Sequence, residues 1–474
     1  RPAAAAFLRA AALRAGPRAL ELRRLAAEQL LVSGHVDEGR RVLQEVLAQV
    51  GLTLAPTPRR ALLSLLRRRL QLRLHGLRFV LRPAAAIAPA ELARIDICSV
   101  VSQGLSMNDN IRAADFQALG TLLALRAGEP VRLARALGME ASFVATRGRP
   151  ARARATRLAQ IALDLARSVD QPAAIAQALL SAGTVAYLAS SEWRRAAALC
   201  GEAEAIFRER VHGGTWAKTT TRRFWLGSLM YLGELAELRR RLVDFLGDAH
   251  DRGNIYALTD MRTRLNLAWL AADEPAEAHR QLDAAMRRWP IDGFHIQHMN
   301  ALMGRVHVDL YVGEPDIALR RIAAQWPALT GSLLPRIQLV RSEAHHLRAR
   351  AGLAALAAAP PRATARAARA IARDIDALAA EATPWLTALA QLLRAGLARS
   401  TGRPEAAVAA LRRAIVGLRA HDMGLHVAAA EHHLGRLLGG DEGARLRATA
   451  DAWMTAQTIR EPAALVRVIA PGFT

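Results

Sequence analysis

Across 474 residues alanine and leucine dominate, aromatic residues make up 4% of the chain, and β-branched residues are sparse, which excludes a sheet-rich fold and argues for a chain that is almost wholly α-helical. The formal charge of +23 would ordinarily point to nucleic acid or an anionic membrane, but Lys218 is the sole lysine among the basic residues, and an arginine excess beside an alanine excess suggests a GC-rich coding bias that dilutes the signal. Cys98 and Cys200 alone cannot build a disulfide framework, which fits a reducing cytoplasm, and no membrane span or signal peptide is expected.

The chain begins on Arg1 rather than methionine, so a longer parent polypeptide is admitted. Residues 1–51 read as helical hairpins continuing an upstream array, because the stretch from Pro2 to Arg14 carries apolar residues, Phe7 and Leu8 among them, that a preceding repeat would cover.

Residues 52–90 break the pattern as a basic insertion. Arg59, Arg60, Arg67, Arg68, Arg69, Arg73, Arg78 and Arg82 fall here with no acidic residue between Glu45 and Glu91. Leu62, Leu63, Leu65, Leu66, Leu70, Leu72, Leu74 and Leu77 interleave with them, giving an amphipathic basic segment. It reads equally well as a solvated arginine face or as a docking surface for an acidic protein domain, anionic lipid or nucleic acid.

From residue 91 to 474 a repeat governs the sequence. A small or acidic turn residue is followed two positions on by Pro, Trp or another apolar residue, and then by an apolar or small residue three further on. The clearest copies are Ser191-Trp193-Ala196-Cys200-Ala203, Asp273-Pro275-Ala278-Leu282-Ala285, Gly313-Pro315-Ala318-Ile322 and Gly402-Pro404-Ala407-Leu411-Ala414, with looser ones at Gly148 and Gly233 and, ahead of the insertion, at Gly34. The turn residue tolerates the backbone angles that end a helix, and proline near the next start removes an N–H that has no partner there. The small residue lets two helices approach closely. Each block is therefore expected to be a helical hairpin. The segment from Leu356 to Asp374, with Pro360 and Pro361 inside it, reads as a long hairpin whose loop is loosely specified.

This pattern resembles the tetratricopeptide repeat: Tyr187 and Trp269 stand where the first helix carries an aromatic, and Ala196, Ala278, Ala318 and Ala407 where the second carries alanine. The turns at 191, 233, 273 and 313 give a period of about 40 residues against roughly 34 in the standard motif, so helices of about 17 residues, roughly 25 Å long, are expected. The resemblance implies an all-α, tetratricopeptide-like α-solenoid of antiparallel helical hairpins. It sets Arg223, Tyr231, Asp260, Asn300, His307 and Tyr311 toward a concave groove suited to a protein or peptide partner.

Nucleotide-binding loops, kinase signatures, hydrolase elbows and zinc motifs are missing from the sequence, so no catalytic, cofactor-binding or metal residue is expected in this chain. His295 with His298, His345 with His346 and His432 with His433 lack completing ligands and read as ordinary surface or interface histidines. Trp193, Trp216, Trp225, Trp269, Trp289, Trp326, Trp385 and Trp453 read mostly as packing residues.

Two further stretches carry a more specific resemblance. Gly51-Leu52 through Pro56-Thr57-Pro58-Arg59 and Leu62-Leu63-Ser64-Leu65-Leu66 to Leu74-His75-Gly76-Leu77-Arg78-Phe79 is similar to a segment of very large bacterial serine/threonine kinases of the myxobacterial type. So is the ending, Ala452-Trp453-Met454, Ile459-Arg460-Glu461-Pro462 and Ala470-Pro471-Gly472-Phe473. These kinases join a kinase domain, a signal-transducing ATPase and a long helical-repeat tail. The resemblance implies a cytoplasmic, non-catalytic sensor or scaffold region that engages a protein partner or the neighbouring kinase and ATPase domains in cis. The alternative is a stand-alone basic module that binds nucleic acid or anionic membrane through the arginine-rich insertion.

Overall fold

The residues expected at turns do what their chemistry allows. Gly34, Gly148, Ser191, Gly233, Asp273, Gly313 and Gly402 all take left-handed backbone angles, with φ between 55° and 92°. Pro275, Pro315 and Pro404 each open a helix. One turn later Ala196, Ala278, Ala318 and Ala407 are completely buried, as small residues facing a neighbouring helix are.

The computed structural model describes residues 2–106, 109–287, 289, 293–357 and 364–473. Among them the backbone forms α-helices and no strand. The first third holds α1 (Pro2–Ala12), α2 (Gly16–Val32), α3 (Val36–Gln49), α4 (Pro58–His75), α5 (Pro89–Leu105), α6 (Asn110–Ala127), α7 (Pro130–Ala145) and α8 (Arg152–Val169). The middle holds α9 (Pro172–Val185), α10 (Trp193–Glu209), α11 (Thr215–Leu232), α12 (Leu235–Asp251), α13 (Ile255–Arg264), α14 (Leu267–Ala271), α15 (Pro275–Met286) and α16 (Ile296–Tyr311). The last third holds α17 (Pro315–Gly331), α18 (Gln338–Ala357), α19 (Thr364–Ala380), α20 (Pro384–Ser400), α21 (Pro404–Arg419), α22 (Gly424–Leu438), α23 (Gly440–Ala456) and α24 (Pro462–Ile469). Pro360 and Pro361, in the expected loop between α18 and α19, lie outside the described residues.

From α5 to α13 and from α14 to α23 successive helices pack on one another, and α7, α13, α16 and α18 also touch the helix two places on. The insertion does not stand apart. α4 lies on α6, and the extended residues after it run alongside the end of α6, where the Arg82 amide donates to Gly128 O at 3.0 Å.

Contacts between distant parts of the chain close the interior. The Gln338 amide donates to Thr146 O at 3.1 Å and the Arg460 amide to Ala271 O at 2.9 Å. α24 packs against α14, α16, α18 and α22. Arg350 donates to Val468 O in the last turn of α24 at 3.0 Å, and beyond this helix His433 Nε2 lies 2.9 Å from Ala470 O and Ser400 donates to Gly472 O at 3.0 Å. Phe473 stacks on His433 with ring centres 4.0 Å apart. The apolar core follows this path as one cluster from Ala186 to Phe473, a second from Leu72 to Ala217 and a third from Ala27 to Phe116.

One charge-free helical stretch, Pro172–Ser190, passes the length and composition test for a membrane span, although the sequence reading set no span there; 72% of it is buried inside the fold. Near the start of the chain, Phe7 and Leu8 pack partly against Ala4, Ala26 and Leu30, and Leu13 is exposed.

Candidate functional site

The six residues assigned to a groove face inward but do not form an open surface. Tyr231, Asp260, Asn300, His307 and Tyr311 are buried, and only Arg223 is half-buried. Arg223 Nη1 lies 2.9 Å from Tyr256 Oη and 3.4 Å from Asp260 Oδ1, and Asn300 donates to the same Asp260 oxygen at 3.4 Å. Tyr231 donates to Glu343. His307 Nε2 sits 3.0 Å from Arg350 Nη2, and Tyr311 donates to Asp273 at 2.8 Å. The burial has a physical cause: neighbouring helices, and α18 and α24 packed on α16, cover these side chains, so the polar groups find protein partners instead of solvent.

The residues that organise this interior carry no local signal. Arg264 meets Glu343 at 2.7 Å and donates to Tyr187 Oη at 3.0 Å. Their separation in sequence, 79 residues for the ion pair, is too long for a local pattern to join them. Burial raises the Tyr231 phenol well above its usual range, and the Glu343 charge adds to that. Burial also holds His307 and His346 well below the ordinary imidazole value and His426 at about 3, with the Arg350 charge beside them acting the same way. These rings are therefore neutral, and burial lowers Arg350 itself to about 10.

Beside this network lies a cavity of about 160 Å³. α6, α7 and α9 supply one wall, and α11, α13 and the start of α18 the other. Half-buried Phe143, Leu188, Phe224, Ile337 and Leu339 give it an apolar lining. Trp216 and Thr220, four residues apart on one face of α11, line it too. Trp216 Nε1 and Thr220 Oγ1 are buried with no hydrogen-bond partner among the described residues.

The basic insertion divides its eight arginines between two faces. Arg68 turns inward to Asp115 at 2.9 Å and over the Phe116 ring, and Arg69 pairs with Glu140. Burial raises the pKa of both carboxylates against the pull of these arginines. Arg59, Arg60, Arg67, Arg73, Arg78 and Arg82 are exposed and make no ion pair among the described residues. Arg82 donates to Ala86 O at 2.5 Å.

Leucines also divide. Leu72 is buried and Leu65 packs partly against the core, but Leu63, Leu66, Leu70 and Leu74 are 57–75% exposed. Steps of three, four and four residues place these four in one line along α4. The helix is thus apolar on both faces, and the outer line lies between arginines.

Several of the remaining sequence candidates lie beside other side chains, while His346 Nε2 is buried with no hydrogen-bond partner among the described residues. The His298 ring accepts from the His295 amide at 3.0 Å, and His345 lies 2.8 Å from Asp374. His432 lies 3.9 Å from Asp451. Among the described residues no three His, Cys, Asp or Glu side chains form a metal-ligand group. Trp193, Trp216, Trp289 and Trp385 are buried, while Trp225, Trp269, Trp326 and Trp453 pack partly against the core. Burial pushes the Cys98 and Cys200 thiols up to about 12. No protein-family model matches the sequence, and no curated protein matches it.

Proposed function

We propose that this chain is a non-catalytic, tetratricopeptide-like regulatory array of antiparallel helical hairpins that docks a protein partner on the outer face of α4. The observation that carries this reading is the exposed line Leu63, Leu66, Leu70 and Leu74 set among six exposed arginines. An apolar stripe in water is costly unless something covers it, and its helical spacing suits the apolar stripe of another helix. The arginines beside it select a partner helix with acidic flanks. In a large serine/threonine kinase with an ATPase module, which the sequence resembles, that helix would belong to a neighbouring domain or to a regulatory partner.

The test is titration of the chain with a synthetic helical peptide that carries leucines at heptad spacing and glutamates on both flanks. Binding that is lost in Leu66→Ser/Leu70→Ser and weakened at least tenfold in Arg67→Glu/Arg73→Glu supports the reading. Equal binding by both double variants sinks it.

The same six arginines favour a second reading, contact with phosphate groups of nucleic acid or an anionic membrane. Binding to duplex DNA or phosphatidylserine vesicles would then fall steeply with salt, by close to one log unit of affinity per log unit of salt for each phosphate contact on DNA. Salt-insensitive binding to either would exclude it.

A further inference from the structure

We infer that the interior cavity between α7, α9, α11 and α18 is a binding site for a small, neutral, largely aromatic or alicyclic molecule that carries one hydrogen-bond acceptor. Its size sets the first limit. A cavity of about 160 Å³ compares with the ~150 Å³ apolar cavity that takes up benzene, so the part of the ligand it encloses is a single ring with a short substituent. The half-buried rings of Phe143 and Phe224, with Leu188, Ile337 and Leu339, offer it apolar contact on several sides.

Polarity sets the second limit. The other lining serines and threonines are satisfied locally: Ser142, Ser181 and Thr184 donate to the carbonyls of Gly138, Gln177 and Leu180 at 3.2, 3.0 and 2.9 Å. Ser106 and Thr146 likewise donate to Gln103 O and Phe143 O. Thr220 and the Trp216 indole are the exceptions, each less than 10% exposed and each without a partner among the described residues. A buried donor left unpaired is expensive, and one acceptor oxygen lying over this face of α11 would satisfy both.

Charge sets the third. Two arginines line the cavity, but Arg264 is matched by Glu343 at 2.7 Å and Arg223 faces Asp260 at 3.4 Å. The wall is balanced, so an anionic ligand would gain little and would forfeit its hydration.

Occupancy would also brace a seam. Ile337, Leu339 and Glu343 line the cavity, and Gln338 between them is stitched to Thr146 O through its amide and accepts from the Arg149 amide at 3.0 Å. A ligand wedged here links residues of α7 and α9 to α18 and stabilises their contact by mass action. The site is separate from the outer face of α4, and the inference holds whichever partner that face takes.

The experiment uses the 474-residue chain with 15N-labelled tryptophan, whose eight indoles give eight signals, and three probes of similar size: acetophenone, benzoate and toluene. Acetophenone should saturably shift the signal that disappears in Trp216→Phe and should raise Tm, with toluene and benzoate each binding at least fivefold more weakly. Thr220→Val keeps the shape of the side chain and should weaken acetophenone about fivefold. Ser142→Phe, filling the cavity in a chain whose helicity is checked by circular dichroism, should abolish the shift. A Trp216 signal unmoved by all three probes, tighter binding of benzoate, or undiminished binding by a folded Ser142→Phe protein would overturn the assignment.

Discussion

The Arg264 guanidinium bonds to the Glu343 carboxylate at 2.7 Å with both side chains at most 10% exposed, joining α13 to α18 through the middle of the molecule. Removal of one partner strands the other charge in the interior. Glu343→Leu and Arg264→Met should each lower the unfolding free energy by about 3 kcal/mol, and the double variant should lose less than the sum of the two. A double-mutant cycle from denaturant midpoints checks this, and simple additivity would show that the pair is not coupled.

The paired and unpaired arginines of α4 should differ sharply in stability. Arg69→Ala strands the buried Glu140 and should cost about 2 kcal/mol after allowance for the partial exposure of the arginine. Arg67→Ala, two residues away on the exposed face, should stay within about 0.5 kcal/mol of the parent. Chemical denaturation of the two variants side by side gives the answer, and equal losses would mean that the inward pairing contributes nothing.

Gly233 tests the closure of the chain. Its φ is +79°, and a Cβ there would stand 2.6 Å from the Leu425 backbone nitrogen and 2.9 Å from the Trp453 ring. Gly233→Ala should therefore cost about 2–4 kcal/mol, combining backbone strain with forced separation of α11 from the start of α22. Gly313→Ala has a similar φ of +84° and open space around it, and should cost about 1–2 kcal/mol. Equal Tm losses in the two variants would argue that strain alone acts.

The buried histidines predict acid sensitivity. His426 faces Arg350, His346 and His307, and its folded value of about 3 lies below the unfolded value of 6.5. A depressed folded pKa means that the unfolded chain binds more protons. Its contribution is therefore complete above pH 6.5 and is lost as pH falls from 6.5 toward 3, by about 2 kcal/mol at pH 5 for this one ring. His426→Leu should lower the proton uptake on unfolding at pH 5 by about one, read from the slope of stability against pH. An unchanged slope would place that proton elsewhere.

How much of this was legible in the sequence varies with the range of the interaction. Ser191, Asp273, Gly313 and their companions announce the turns because the backbone angle and the residue type belong to the same few positions. Ala196 and Ala278 announce close helix approaches for the same local reason. The fate of the inward-facing residues was not legible, since Tyr231 meets Glu343 112 residues on and His307 meets Arg350 43 residues on, and no local pattern encodes which helices meet. On α4 the charges were legible but the division of faces was not. Leucine occurs all round that helix, and Asp115 and Glu140, which draw Arg68 and Arg69 inward, lie 47 and 71 residues away. Trp216 and Thr220 gave no signal at all, because an unpaired donor is a property of its surroundings.

The seating of α24 and the residues after it against α14, α16, α18 and α22 has a consequence for how such a chain can vary. A linear stack grows or shrinks by whole units at little penalty, because each unit answers only to its neighbours. Here an extra hairpin inserted between α14 and α22 would carry the far end away from the carbonyls and rings that receive it, and the loss would fall on helices scattered over half the sequence. Length is thereby a shared property of the molecule: substitutions can accumulate singly, but the number of helices between α14 and α24 can change only if the closing segment is rebuilt in the same step.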